Sequence, residues 1–209
     1  MSANNAPERL SLYATPIAAS VPAEAQQLAT ALGPRVQQMW QAAQQQQSPL
    51  PWQSQPQFLD QQDGPLNLLT WMTHTIADAM TAPARWPGPQ QTGWDVLWFA
   101  EVCLPGQGQP IHDYPRADWC ACFLIDDGGG QGESGEVELL DPRGAAVLIY
   151  APDLTFDAPG SEVLGISQTV ALTSGSLLVF PAWMRQGTSV NQGTRPRLAI
   201  KLLLTKRYG

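Results

Sequence analysis

Histidine is scarce in this chain: among 209 residues there are two, His74 and His112. A Ser-His-Asp triad has little to draw on from such a set. The three cysteines, Cys103, Cys120 and Cys122, form an odd number with no Cys-x-x-Cys pair. That suits a reducing cytoplasm better than a disulfide framework. Charge is scarce too, at 14% of residues, and acids outnumber bases by 18 to 11. A net charge of −7 lacks the basic footprint of a nucleic-acid binder and is equally poorly suited to an anionic membrane surface. No apolar run approaches the ~20 residues that span a bilayer. The opening MSANNAPERL lacks the basic and apolar regions of a signal peptide. The glycine-rich DDGGGQGESG has no helical pattern after it, so it is no phosphate loop. The expectation is a cytoplasmic protein with a small-molecule ligand and no nucleic-acid or membrane partner.

What is present is glycine, proline and tryptophan, at 18, 19 and 8 residues, within a chain that is 44% hydrophobic. The length suits one domain, and the turn-formers favour a β-rich design with many loops. The first part nevertheless reads helical. Leu28, Leu32, Val36, Met39 and Trp40 recur at three- and four-residue steps, one apolar stripe on a helix. Ser20, Pro22 and Glu24 give a start signal, and Gly33-Pro34 is expected to kink or split the helix. A second helix fits PLNLLTWMTHTIADAM, with Leu66, Leu69, Met72, Ile76 and Met80 on one face. His74 falls off that stripe and reads as a surface or partly packed residue.

From about residue 92 the pattern changes to short apolar or alternating runs separated by Gly, Pro, Asp and Asn: DVLWFAEVCLP, WCACFLID, GEVELLDP, AAVLIYAP, SQTVALTSG, SLLVFPAW and PRLAIKLLLT. This is the signature of an all-β sandwich or barrel. Helices over about 20–85 followed by a β unit over about 92–207 predict a single domain, 1–209. Its β part is expected to be a jelly roll with the helices packed outside it.

Four segments, LYATPI, IHDYPRADWCACFLI, GEVELLDPRGA and GSLLVFPAWMRQGTSVNQGTRPRLAIKLLL, stand in an order that resembles the small bacterial and phage iron(II)/2-oxoglutarate-dependent oxygenases. The resemblance implies a double-stranded β-helix, cupin-like, with Fe(II) and 2-oxoglutarate as cofactors. In that chemistry two imidazoles and a third ligand hold the iron, and an arginine takes the distal carboxylate of 2-oxoglutarate. His112 falls on the family's first histidine, Tyr114 on the second histidine of its His-x-His, and Gln186 on the distal histidine. Arg197 falls on the 2-oxoglutarate arginine, and Ala199 on a serine two residues later.

Two of the three expected iron ligands are thus changed. Asp113, beside His112, is a further candidate, although neighbours on a strand point to opposite faces. The expected metal set is therefore His112 with Asp113, Tyr114 and Gln186, and the expected anion site is Arg197. Two functions stay open. One is an oxygenase-like enzyme with an altered metal site, hydroxylating an unknown substrate. The other is a pseudo-enzyme without cofactors that binds a small carboxylate or a protein partner. A homodimer is expected from the resemblance alone. Cys120 and Cys122 share a strand face and read either as thiolate ligands of a cupin-like metal enzyme or as small buried apolar residues. Glu136 and Glu138 read as a solvated face, Arg143 as one half of an ion pair, and Trp98 and Trp183 as core more than pocket wall.

Overall fold

The computed structural model describes residues 15–45, 51–56, 63–82, 91–129, 136–142, 144, 149 and 167–209. Two antiparallel sheets face each other, and two helices cover the outer side of the larger one. The larger sheet takes β1 (Ala18–Ser20), β2 (Trp52–Gln53), β3 (Gln91–Cys103), β5 (Trp119–Asp126), β8 (Leu177–Pro181) and β10 (Arg197–Tyr208) in the order β1-β8-β5-β10-β3-β2. The smaller sheet takes β4 (Gln109–His112), β6 (Val137–Leu140), β7 (Ser167–Val170) and β9 (Gln186–Thr188) in the order β4-β9-β6-β7. This is a double-stranded β-helix, the jelly-roll architecture expected from the sequence.

Alternation along the strands sends successive side chains into two separate cores. On the outer side, Trp98, Ala100 and Val102 of β3, Phe123 and Ile125 of β5, and Ile200, Leu202 and Leu204 of β10 meet the helices. Cys120, Cys122 and Leu124 of β5 and Ala199 of β10 instead face inward, against Val137 and Leu139 of the smaller sheet.

Helix α1 (Ala25–Gln45) buries Leu28, Leu32 and Val36, with Met39 and Trp40 partly covered, as the spacing predicts. It runs unbroken through Pro34, where a split was one expectation. Pro34 and Thr30, whose carbonyl the proline leaves without its helical donor, both lie on the exposed side, so water can take the donor's place. Gly33 faces the sheet, where an added Cβ would come 3.2 Å from Ile125 Cγ2.

In helix α2 (Gly64–Met80), Leu66, Leu69, Thr73 and Ala77 form the buried line, and Met72, Ile76 and Met80 flank it. The stripe is therefore centred one residue beyond the expected one. Thr73 can be buried because its hydroxyl donates to Leu69 O at 2.9 Å. His74 is half-buried, and that burial, only partly opposed by Asp78, lowers its pKa below the ordinary histidine value.

Three buried tryptophans fasten the sheet to the α2 segment through their indole N–H groups: Trp94 to Asp78 at 2.8 Å, Trp98 to Thr70 at 2.9 Å and Trp119 to Thr81 at 3.1 Å. Trp98 is thus core, as expected, while Trp183 is 54% exposed and is not. Glu138 alternates with buried Val137 and Leu139 and is half-buried. Arg143 lies outside the described residues, as does AAVLIYAP apart from Ile149, which is helical rather than extended.

Asp63 caps α2 by accepting from Leu66 N at 3.2 Å and also receives Arg35 of α1. Asp63→Ala is expected to lower the unfolding free energy by about 1 kcal/mol in urea titration, the usual value of an N-cap.

Candidate functional site

The inner face of the larger sheet carries an unusual set of residues. Register places Arg197 opposite Cys103, Ala199 opposite Glu101 and Lys201 opposite Phe99, all on the inward side of β10 and β3. Glu101, Arg197 and Lys201 are each 1% exposed. Charged groups are rarely so enclosed unless paired.

Two of the three lack partners of the ordinary kind. Both carboxylate oxygens of Glu101, and Nε and Nη2 of Arg197, have no hydrogen-bond partner among the described residues. Lys201 donates to Gln186 Oε1 at 2.5 Å. Burial works against the Lys201 ammonium, but the facing Glu101 carboxylate, with Cys120 and Cys122, outweighs it and sets the pKa above the ordinary lysine value. Lys201 is therefore a fixed positive charge at neutral pH.

Two local features aim these groups. An added Cβ on Gly187 would come 2.9 Å from Gln109 O and 2.8 Å from Ile111 Cδ1. Glycine there lets β9 close on β4, which brings Gln186 opposite His112. The turn before β10 is held by Asn191, whose Nδ2 donates to Cys103 O and Arg195 O at 3.0 Å. Its Oδ1 accepts from Gly193 N at 2.9 Å. That turn delivers Arg197 to the end of β3.

His112, Tyr114 and Gln186 come together, and Asp113 does not join them. A carbonyl only accepts, so the 2.8 Å contact from His112 Nδ1 to Pro110 O fixes the proton on Nδ1. Nε2 on the other side of the ring meets Tyr114 OH at 3.1 Å, with the two rings nearly perpendicular at 84°. Burial, reinforced by Glu101, pushes the Tyr114 phenol well above its ordinary pKa, so it stays protonated. Asp113 is exposed. Gln186 is fully buried and donates from Nε2 to Cys120 Sγ at 3.5 Å. The Cys120 thiol is pushed up to about 12, by burial first.

These residues do not fit ferrous iron. Nε2 of His112 is occupied by the Tyr114 hydroxyl, and the one oxygen of Gln186 already faces an ammonium. Among the described residues no three His, Cys, Asp or Glu side chains are grouped as a metal site. A divalent ion about 4 Å from a fixed unit charge is repelled by roughly 8 kcal/mol at an effective dielectric of about 20.

Sequence reading reached Arg197 and stopped short of Glu101 and Lys201. The signal was there: Lys201 is a charge in the same apolar run as Arg197, four residues on and so on the same face. An open cavity of about 400 Å³ adjoins this end of the row, walled by Leu97, Leu203, Tyr114, Pro115 and Ala117, with Arg116 and Asp95 beside them. Tyr114 lines that cavity and also contacts Phe99 and His112. Among the described residues no helix is long and apolar enough to cross a membrane.

No protein-family model and no curated protein matches the chain. Solved structures do. A prolyl-4-hydroxylase from Pseudomonas putida aligns over 94% of this chain and 95% of its own, with a TM-score of 0.61 at 14% identity. AviO1 from Streptomyces viridochromogenes aligns over 91% and 90%, with a TM-score of 0.54 at 14% identity. A Trichoplax adhaerens prolyl hydroxylase, in complex with a peptide of hypoxia inducible factor, aligns over 90% and 83%, with a TM-score of 0.54 at 9% identity. At these identities the likeness is one of fold: the chain is built on the double-stranded β-helix that the prolyl hydroxylases use.

Proposed function

We propose that this protein has the fold of the 2-oxoglutarate oxygenases but not their iron, and that it holds a small carboxylate against Arg197. The observation that carries this reading is the Lys201 ammonium, 2.5 Å from the oxygen of Gln186, the residue matched to the family's distal iron ligand. A lysine there supplies a positive charge where the resemblance expects a metal. Arg197, enclosed and with Nε and Nη2 unpartnered among the described residues, retains two donors for an anion. An arginine–carboxylate contact in such surroundings is charge-assisted and commonly bidentate.

A second reading has one observation in its favour. His112 and Gln186 are direct cross-strand partners, as two ligands of one metal would be. It is an oxygenase with a rearranged set, His112 with Gln186 and Asp113 or Tyr114, using Fe(II) and 2-oxoglutarate.

Anaerobic titration of the metal-stripped protein separates the two. Carboxylates such as succinate and 2-oxoglutarate are expected to bind without metal, and Fe(II) is expected to leave their affinity unchanged. Arg197→Gln is expected to weaken them at least about 10-fold, the scale of a lost hydrogen bond to a charged group. Tight Fe(II) binding that disappears in His112→Ala and strengthens with 2-oxoglutarate would establish the second reading instead.

A further inference from the structure

Along the inner face the buried charges alternate in sign: Arg197, then Glu101 opposite Ala199, then Lys201. With a strand rise of about 3.3 Å per residue, the two cations stem from backbone positions about 13 Å apart, with the carboxylate midway on the neighbouring strand. Ala199 places only a methyl group between them, and the flanking Cys103 and Cys122 are small as well. The row reads plus, minus, plus.

A plain dicarboxylate answers only two of these three groups. The carboxylate of Glu101 can only accept hydrogen bonds. Its two oxygens have no donor among the described residues, and a buried acceptor of this kind is costly to leave unmade. A ligand bringing acceptors alone would face Glu101 with more negative charge. A ligand with an ammonium between two carboxylates answers all three, and its net charge of minus one offsets the row's plus one.

We propose that this row is a binding site for a dicarboxylic α-amino acid of the aspartate or glutamate type. One ligand carboxylate lies on Arg197, the other on Lys201, and the α-ammonium donates to Glu101. The assignment rests on the reading above that Arg197 takes a carboxylate, and it adds the chemical class of the ligand. A cavity of about 400 Å³ walled by Leu97 and Leu203 lies beyond the Lys201 end of the row. Leu203 is the next inward residue after Lys201, and Leu97 is its partner on β3. Specificity follows from the unmade bonds. A site built to receive a donor discriminates strongly against an analogue that lacks it, because its own buried acceptor is then left without a partner.

The test is isothermal titration of the full, metal-free chain with L-glutamate, L-aspartate, glutarate, succinate and 2-oxoglutarate. The expected result is that an amino acid binds at least about 10-fold more tightly than its deamino and 2-oxo counterparts of equal length. In Glu101→Gln that preference is expected to fall below about 3-fold, with the deamino acids bound no more weakly than before. Equal binding of glutamate, glutarate and 2-oxoglutarate to the unaltered protein would overturn the amino-acid assignment and leave the carboxylate reading standing. So would a preference that survives Glu101→Gln. Binding of none of the five would sink both. The ligand panel on the unaltered chain can overturn the assignment by itself, whether or not the variant folds.

Discussion

Replacing Lys201 by methionine is expected to lower the unfolding free energy by about 3–5 kcal/mol, the range for breaking a buried charge constellation from one side. Methionine fills much of the same volume, so packing is largely kept and the loss is electrostatic. Glu101, 1% exposed, loses a neighbouring ammonium that interacts with its carboxylate. Gln186 Oε1, fully enclosed, loses the donor at 2.5 Å. Combining Lys201→Met with Glu101→Leu is expected to recover only part of the loss, since Arg197, 1% exposed, is then left without the counter-charge. Urea unfolding of the two single variants and the double variant closes the cycle. If Lys201→Met alone stays within about 1 kcal/mol of the parent, the ammonium is not what makes the Glu101 carboxylate tolerable.

Restoring a ferrous site is expected to require the same lysine to go. Tyr114→His with Gln186→His supplies the imidazoles that the resemblance asks for. The Lys201 ammonium would still stand beside the new ligand, opposing a divalent ion by several kcal/mol in any reasonable dielectric. The double variant is therefore expected to bind Fe(II) weakly. Adding Lys201→Met is expected to tighten binding at least about 100-fold. Iron would also return the positive charge that Glu101 had lost, so the melting temperature of the triple variant should rise with Fe(II) while that of the double variant does not. Calorimetry and thermal melts under nitrogen read both effects. Equal Fe(II) affinity in the double and triple variants would show that the ammonium does not stand in the metal's place.

Most of the architecture could be read from periodicity. WCACFLID is β5 residue for residue, and the stripe of Leu28, Leu32 and Val36 is the buried line of α1. These segments are long and regular enough for burial to write a period into the sequence. The short strands were not legible. β2 is two residues, Trp52–Gln53, within a polar stretch broken by prolines, and it is a strand only because β3 pairs with it. β4 and β9 likewise owe their form to each other, through the close approach at Gly187. Within the site, the placement of Cys120 and Cys122 on one face followed from alternation, and the structure shows that face to be the inner one. Gln186, Tyr114 and His112 were found by their match to a known pattern. Glu101 and Lys201 have no counterpart in that pattern, and only the pairing of β3 with β10 reveals that they share an enclosure with Arg197. Sequence spacing reports which face a residue takes, and it does not report which strand will lie beside it.

The two cores of the larger sheet divide responsibilities that many small proteins combine. The layer under the helices, with its tryptophan clamps on Asp78, Thr70 and Thr81, is apolar and makes no use of the charged row. The inner layer holds every buried charge discussed above. A sheet so arranged acts as a partition between architecture and chemistry. Substitutions on the inner side can alter what is bound while the load-carrying side continues to specify the same shape. That gives the scaffold latitude in what its interior binds, provided that charged inward positions change together, since losing one of them alone is expected to cost several kcal/mol.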